Sequence, residues 1–353
     1  MPGQADFGIM VGGSPLALLV MVVTFAFAMG AGITSTMGGS RRLLRALPCD
    51  KRRGVCITGC DSGFGLLAAS ALGEAGYTVF AACLTAEGCA RLRPHVAVAV
   101  QCDVTNSDDI ARLAAEVTRY LNDGSTACLW AVINNAGVAP LSYVDWTTME
   151  SFRFAMDVNF FGAVAVTKAL LPLLKRTRGS RIINVSSVAG LGAGPMFAAY
   201  AASKHAVEGY TKCLRLELRP WGIHVANINP GFMRTPMIEG AAVPTLAAFR
   251  AAPAEVRAQY PDAENMLSRM HESVLAVGED PQVVVNQMLR LLRARWPALV
   301  NLTGFQAVFL GNVFFAMPGR LQDFLSGIFV EVSAPQPDVM HRLQSGSSNG
   351  KPT

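Results

Sequence analysis

Three glycines crowd the run Thr58-Gly59-Cys60-Asp61-Ser62-Gly63-Phe64-Gly65, which separates a β-branched segment at 55–58 from an apolar stretch beginning at Leu66. Glycine serves where backbone must turn tightly without a Cβ, so a strand that ends in this run and restarts as a helix is half of a βα unit. The rhythm then repeats. Runs at 55–58, 78–83, 96–102, 129–133, 181–186, 224–228 and 298–302 read as strands, and the stretches at 110–121, 161–175 and 200–218 read as helices between them. Parallel strands need crossover connections, which place helices on both sheet faces. The expected fold class is therefore α/β, a doubly wound parallel sheet.

At 353 residues, the chain is longer than one such domain of about 250 residues requires. From Phe7 to Ile33 there is no charged residue, enough to span a bilayer. Asp6 precedes that run and no Lys or Arg does, unlike the basic start of a cleaved signal, so an N-terminal transmembrane helix is expected. Arg41, Arg42, Arg45, Lys51, Arg52 and Arg53 then stand against the single acid Asp50, a local surplus as large as the whole chain's net +5. Charge this localised argues against a nucleic-acid surface and for a membrane-side patch, with the following domain in the cytoplasm. Eight cysteines show no zinc-type pairing, and no metal is expected.

The expected organisation is an anchor at 1–34, a basic linker at 35–53 and an α/β domain at 54–304. Within that domain, the polar stretch at 236–280, broken by Pro244, Pro253 and Pro261, is read as a substrate lid. Residues 305–334 form an apolar segment, either a membrane-resting helix or ordinary core packing, and 335–353 are expected to be disordered.

The glycine run also carries chemistry. A helix N-terminus offers free N–H groups and a positive dipole end, and glycines let a pyrophosphate approach it. The spacing is GxxxGxG, which differs from the GxGxxG dinucleotide fingerprint. Asp103 ends the third strand run, where it could accept from an adenine amino group, and Asn134-Asn135-Ala136-Gly137 ends the fourth. Ligands of open α/β sheets bind at these carboxyl ends. Tyr200 and Lys204 stand four apart in Tyr200-Ala201-Ala202-Ser203-Lys204, on one face of a helix, with Ser187 thirteen residues upstream. An ammonium beside a phenol favours the phenolate and makes Tyr200 a usable proton donor and acceptor.

In this order and spacing, the motifs resemble the short-chain dehydrogenase/reductase superfamily from about Arg53 to Leu302. Ala82-Cys83-Leu84-Thr85, Leu129-Trp130-Ala131-Val132-Ile133 and Asn159-Phe160-Phe161-Gly162 are similar to its retinol and hydroxysteroid dehydrogenase branch. The resemblance implies a seven-stranded Rossmann-like sheet and a nicotinamide cofactor. It makes Tyr200 the general acid/base, with Ser187 on the same substrate oxygen. Lys204 would lower the Tyr200 pKa and hold a ribose, and Asn159 would anchor a water. Ser186 is the rival of Ser187, but only Ser187 meets the family interval.

Cofactor contacts are implied for Thr58, Gly59, Ser62, Gly63, Phe64, Gly65, Asp103, Asn135, Ala136, Gly137, Tyr200 and Lys204. Pro230, Gly231 and Thr235 belong to a loop that resembles the one gripping the nicotinamide carboxamide. Neither the glycine run nor the residues Leu84 to Glu87 hold a base, which favours NAD over NADP. No acid directly ends the second strand run, and Glu87 is a late candidate for the ribose diol.

The substrate expected is a lipophilic alcohol or its carbonyl, a steroid or a retinoid, handled at the endoplasmic reticulum membrane with the domain facing the cytosol. A homodimer through the Tyr200 helix and the one before it would suit relatives. The alternatives are a 3-hydroxybutyrate-type enzyme, with Arg234 or Arg250 as carboxylate clamp, and a catalytically idle NAD-binding scaffold.

Overall fold

The structure, a computed structural model, describes residues 47–322. The expected anchor, the linker up to 46, the end of the apolar segment and the tail lie outside the described residues.

Seven strands form one parallel sheet in the order β3-β2-β1-β4-β5-β6-β7. They are β1 (Arg53–Thr58), β2 (Thr78–Cys83), β3 (Val98–Gln101), β4 (Cys128–Asn134), β5 (Arg181–Val185), β6 (His224–Pro230) and β7 (Leu302–Thr303). The order reverses between β1 and β4, and in such sheets a crevice opens at that point, beyond the carboxyl ends of the strands.

Both faces are buried, which explains the near-continuous apolar strands. Val55 and Ile57 of β1 join one core with α1 (Gly63–Glu74). Cys56 joins the other, with α3 (Ser107–Asn122), α2 (Ala86–Leu92) lying earlier at the sheet edge. The α3 helix begins before the expected residue 110 because Asn106 caps it, its side chain accepting from the N–H groups of Asp108 and Asp109. That first turn is polar, so the apolar period does not reveal it.

The next helix, α4 (Met149–Leu174), starts well before the expected 161 and runs through a π turn at Asp157–Gly162. Among the described residues it alone is long and apolar enough to cross a membrane, by length and composition only. Its Val166, Leu170, Leu173 and Leu174 are packed into the core under the sheet. Beside it lies α5 (Ala198–Glu217).

Residues 236–280 are mostly helical, including α6 (Ala242–Ala251) and α7 (Ala263–Val277). They have a small core of their own in which Phe249, Met266 and Leu267 surround Trp146. Tyr143 and Tyr260 pack on the same indole, with ring centroids 5.0 and 4.8 Å away. The chain then returns through α8 (Gln282–Arg293) to the first core. The last strand is shorter than the expected 298–302. Only Leu302–Thr303 completes it, although Asn227 and Asn229 already donate to the Leu299 and Asn301 carbonyls.

Candidate active site

The glycine run adopts the turn that its composition requires. Gly59 and Gly63 have φ of +69° and +54°, and a β-carbon on Gly65 would lie 2.0 Å from the Gly59 carbonyl oxygen. Only hydrogen fits there, so the turn can close directly onto the N-terminus of α1. Ser62 occupies the N-cap with an exposed side chain that makes no capping bond. Phe64 is half-buried behind it.

Thr58 and Asn135 hold the ends of β1 and β4 together. The Thr58 hydroxyl accepts from the Asn135 and Ala136 N–H groups at 3.1 and 3.0 Å. Asn135 Nδ2 donates to the carbonyls of Thr58 and Gly59 at 2.9 and 3.1 Å. These two side chains therefore shape the cradle's floor. Asp103 Oδ1 accepts from the Thr105 N–H and hydroxyl at 2.8 Å each, keeping its carboxylate at the end of β3.

Thr235 and the loop after Pro230 and Gly231 close over the same cradle. A β-carbon on Gly63 would lie 3.7 Å from Thr235 Cβ, and the Thr235 hydroxyl makes no capping bond to the short helix it precedes. Gln306 Oε1 accepts from the Phe232 N–H at 3.1 Å, pinning this loop to α9 (Phe305–Phe309).

The acid missing from the end of β2 comes from the glycine run itself. Asp61 Oδ2 accepts from the Leu84 N–H at 2.6 Å, and Oδ1 accepts from the Thr85 N–H and hydroxyl at 2.9 and 2.7 Å. Glu87 is exposed on the first turn of α2. The signal for Asp61 was an acid between two turn glycines, but its reach to β2 is a tertiary contact. Arg91, the nearest base, donates to the Asp61 carbonyl at 3.2 Å.

At the carboxyl end of β5, the two serines separate. Ser186 Oγ points at the Lys204 carbonyl, 3.5 Å away. Ser187 Oγ accepts from the Ala189 N–H at 3.1 Å and interacts with the Tyr200 phenol. Lys204 is buried, its Nζ 2.9 Å from the Val185 carbonyl and 5.6 Å from the Tyr200 ring centroid. Asn159 is buried within the π turn of α4, where Nδ2 donates to the Ser203 hydroxyl at 2.8 Å and Oδ1 accepts from the Val138 N–H at 2.8 Å. A β-carbon on Gly137 would lie 3.1 Å from Asn159 Oδ1 and 3.5 Å from Lys204 Nζ. The fold thus gathers Asn159, Ser187, Tyr200, Lys204 and Gly137 at one place.

The electrostatics differ from the simple expectation for the pair. Burial pushes the Tyr200 phenol above its ordinary value, and the Ser187 interaction pulls the other way. Burial also pushes the Lys204 ammonium down to about 8, opposed by the charge of Glu208. Burial therefore sets the direction for Tyr200, opposite to the expected lowering by Lys204, whose amine donates to the Val185 carbonyl and lies 5.6 Å from the ring centroid. Aromatic rings lie beside Tyr200 and against the loop after β5. Phe197 lies 6.2 Å from both Tyr200 and Phe232, and Phe315 covers Gly192, where a β-carbon would be 2.1 Å from the ring.

A family model described as short chain dehydrogenase matches residues 53–243. Human dehydrogenase/reductase SDR family member 9 is 36% identical over 283 residues, covering 77% of this chain and 86% of that protein. The Caenorhabditis elegans 3beta-hydroxysteroid dehydrogenase dhs-16 is 33% identical, covering 78% and 74% respectively. Among solved structures, a short chain dehydrogenase from Burkholderia cenocepacia in complex with NADP superposes with a TM-score of 0.59 at 26% identity, covering 77% of this chain and 96% of that one.

Proposed function

Since this chain belongs to the short-chain dehydrogenase/reductase family and is an oxidoreductase acting on CH–OH groups, we propose that it interconverts a lipophilic alcohol and its carbonyl, with NAD as cofactor, beside a membrane. The carrying observation is the aromatic surface beside Tyr200, where Phe197 lies 6.2 Å from its ring and Phe232 packs on Phe197. A steroid or retinoid suits such a surface, and the hydroxysteroid relative supports that substrate class.

The residues present fit a dinucleotide. The Gly59–Gly65 cradle leaves Ser62 uncapped at a helix N-terminus, and Thr235 faces it from the opposite loop. When bound, the nicotinamide supplies the hydride acceptor or donor. Tyr200 would exchange the proton at the substrate oxygen, and Ser187 would hydrogen-bond that oxygen. Lys204 would hold a ribose, and Asn159 would keep the backbone at Val138 in place beside it. The Asp61 carboxylate at the end of β2 supports NAD, because it would repel a 2′-phosphate there. Exposed Phe154, Phe161 and Leu216 on α4 and α5 support a homodimer through those helices.

A small hydroxy acid needs a cation to hold its carboxylate; of the two candidates, Arg250 is engaged by Glu264 at 2.8 Å, which leaves that role to Arg234. An endoplasmic reticulum location with the domain facing the cytosol rests on the uncharged run from Phe7 to Ile33 and the basic residues after it. The test is NADH and NADPH formation by the membrane fraction with steroids, retinols and 3-hydroxybutyrate. Turnover of lipophilic alcohols with NAD is expected. Turnover of 3-hydroxybutyrate alone, or NADH binding with no turnover of any alcohol, would overturn the reading.

A further inference from the structure

Glu208 is buried on α5, four residues past Lys204, and has no part in the relay described above. Its carboxylate accepts from Asn227 Nδ2 at 2.7 Å and from Asn229 Nδ2 at 2.5 Å. Asn229 Nδ2 also donates to the Ser187 carbonyl at 3.1 Å. Behind it, the Thr211 hydroxyl donates to Asn227 Oδ1, Asn184 donates to Thr211, and Asn134 donates to Asn184, at 2.7, 2.8 and 2.8 Å. A polar ladder thus crosses β4, β5 and β6 beneath the site and ends on this carboxylate. The loop after β5 lies flat over it, since a β-carbon on Gly190 would come within 3.1 Å of Glu208 Cγ and 3.0 Å of the Lys204 carbonyl.

A buried carboxylate with only amide donors remains costly unless a cation faces it. The cation one helical turn away is Lys204. We propose that Glu208 is a positioning residue of the relay: it ties Asn229, and through it the Ser187 backbone, to the Tyr200–Lys204 helix, and it supplies the negative charge that keeps Lys204 an ammonium. This rests on the dehydrogenase reading. From α5, the titratable groups around Lys204 are Tyr200 and Glu208. The other elements present neutral groups: Ser186 and Ser187 after β5, Asn159 on α4, and Asn227 and Asn229 on β6. Glu208 is therefore the group whose charge opposes the effect of burial on Lys204.

The test uses the full chain in detergent, labelled at lysine for NMR, with Lys204→Met to assign the Lys204 signal. Removing the carboxylate charge lowers the proton affinity of Lys204, so Glu208→Gln is expected to move its midpoint down by about one pH unit, a tenfold change in proton affinity. The alkaline limb of kcat/KM should move in the same direction. The double variant Glu208→Gln/Asn227→Asp restores the donor–acceptor match and a negative charge, and should return both readouts toward wild type. Asn229→Ser keeps the charge but cuts the tie to Ser187. It should lower kcat about tenfold with the Lys204 midpoint unchanged, and it answers the question even where Glu208→Gln does not fold. An unmoved midpoint in a folded Glu208→Gln protein, or wild-type kcat in Asn229→Ser, would overturn the proposal. A shifted midpoint in Glu208→Gln, together with a wild-type protein that turns over no alcohol, would instead sink the dehydrogenase reading and leave the charge pairing standing.

Discussion

Tyr200 stands in surroundings that resist ionisation, with burial raising its phenol and Ser187 opposing that rise. A phenol so placed holds its proton at neutral pH and suits donation to a carbonyl oxygen, while alcohol oxidation calls for the phenolate and so gains as pH rises. Tyr200→Phe removes the exchangeable proton and little volume. Turnover should fall by about 10²–10⁴-fold, with NADH affinity retained, as stopped-flow assays and fluorescence titration would read. Wild-type turnover in that variant would remove Tyr200 from the chemistry. At this scale the spacing of Ser187, Tyr200 and Lys204 was legible in the chain, because i and i+4 on a helix share a face. Asp61 was not. Its partners Leu84 and Thr85 lie 23 and 24 residues away, across a whole helix and strand.

Among the elements, β5 and α8 are joined by a buried cation. Arg181 is fully buried, and its guanidinium donates to the carbonyls of Leu291, Leu292 and Ala294 at 2.7, 2.7 and 3.0 Å. These carbonyls end a helix, where unpaired oxygens and the negative dipole end favour a cation. Trp130 lies against the guanidinium at 4.2 Å, with Arg53 at 4.0 Å from the same indole. Burial lowers the Arg181 pKa to about 10, which still leaves it charged at neutral pH. Arg181→Met takes the donor from the Leu291, Ala294 and Gly179 carbonyls and leaves Leu292 only the Trp130 indole N–H, so it should cost about 3 kcal/mol, roughly a 10 °C lower melting temperature. A thermal melt checks this, and an unchanged melt would show that the carbonyls find other donors. Sequence periodicity did mark β5 and the later part of α4. It missed the start of α4, because the π turn at Asp157–Gly162 rotates the apolar stripe out of its 3.6-residue period. That same turn is what buries Asn159.

For the molecule as a whole, the site lies at the carboxyl ends of β1, β4, β5 and β6, and the apolar α9 packs against the loop after β6. The uncharged run from Phe7 to Ile33 and the basic residues that follow it lead to the expectation that the full chain resists alkaline carbonate extraction from membranes. A chain starting at residue 47 should be released by the same wash, as sedimentation and immunoblotting would show. Retention of both would place the membrane contact in the α/β domain or the C-terminal segment. The amino-acid order alone carried the βα rhythm, the glycine turn and the Tyr200–Lys204 pair, because each is a signal of two to eight neighbouring residues. Folding decided the rest. The closure of Asp61 on β2, the ladder from Asn134 to Glu208, the helical packing of 236–280 and the Arg181 cap on α8 depend on strand order and helix docking. Those contacts join residues far apart in the chain, and no local pattern encodes which polar groups will meet once the apolar faces are buried.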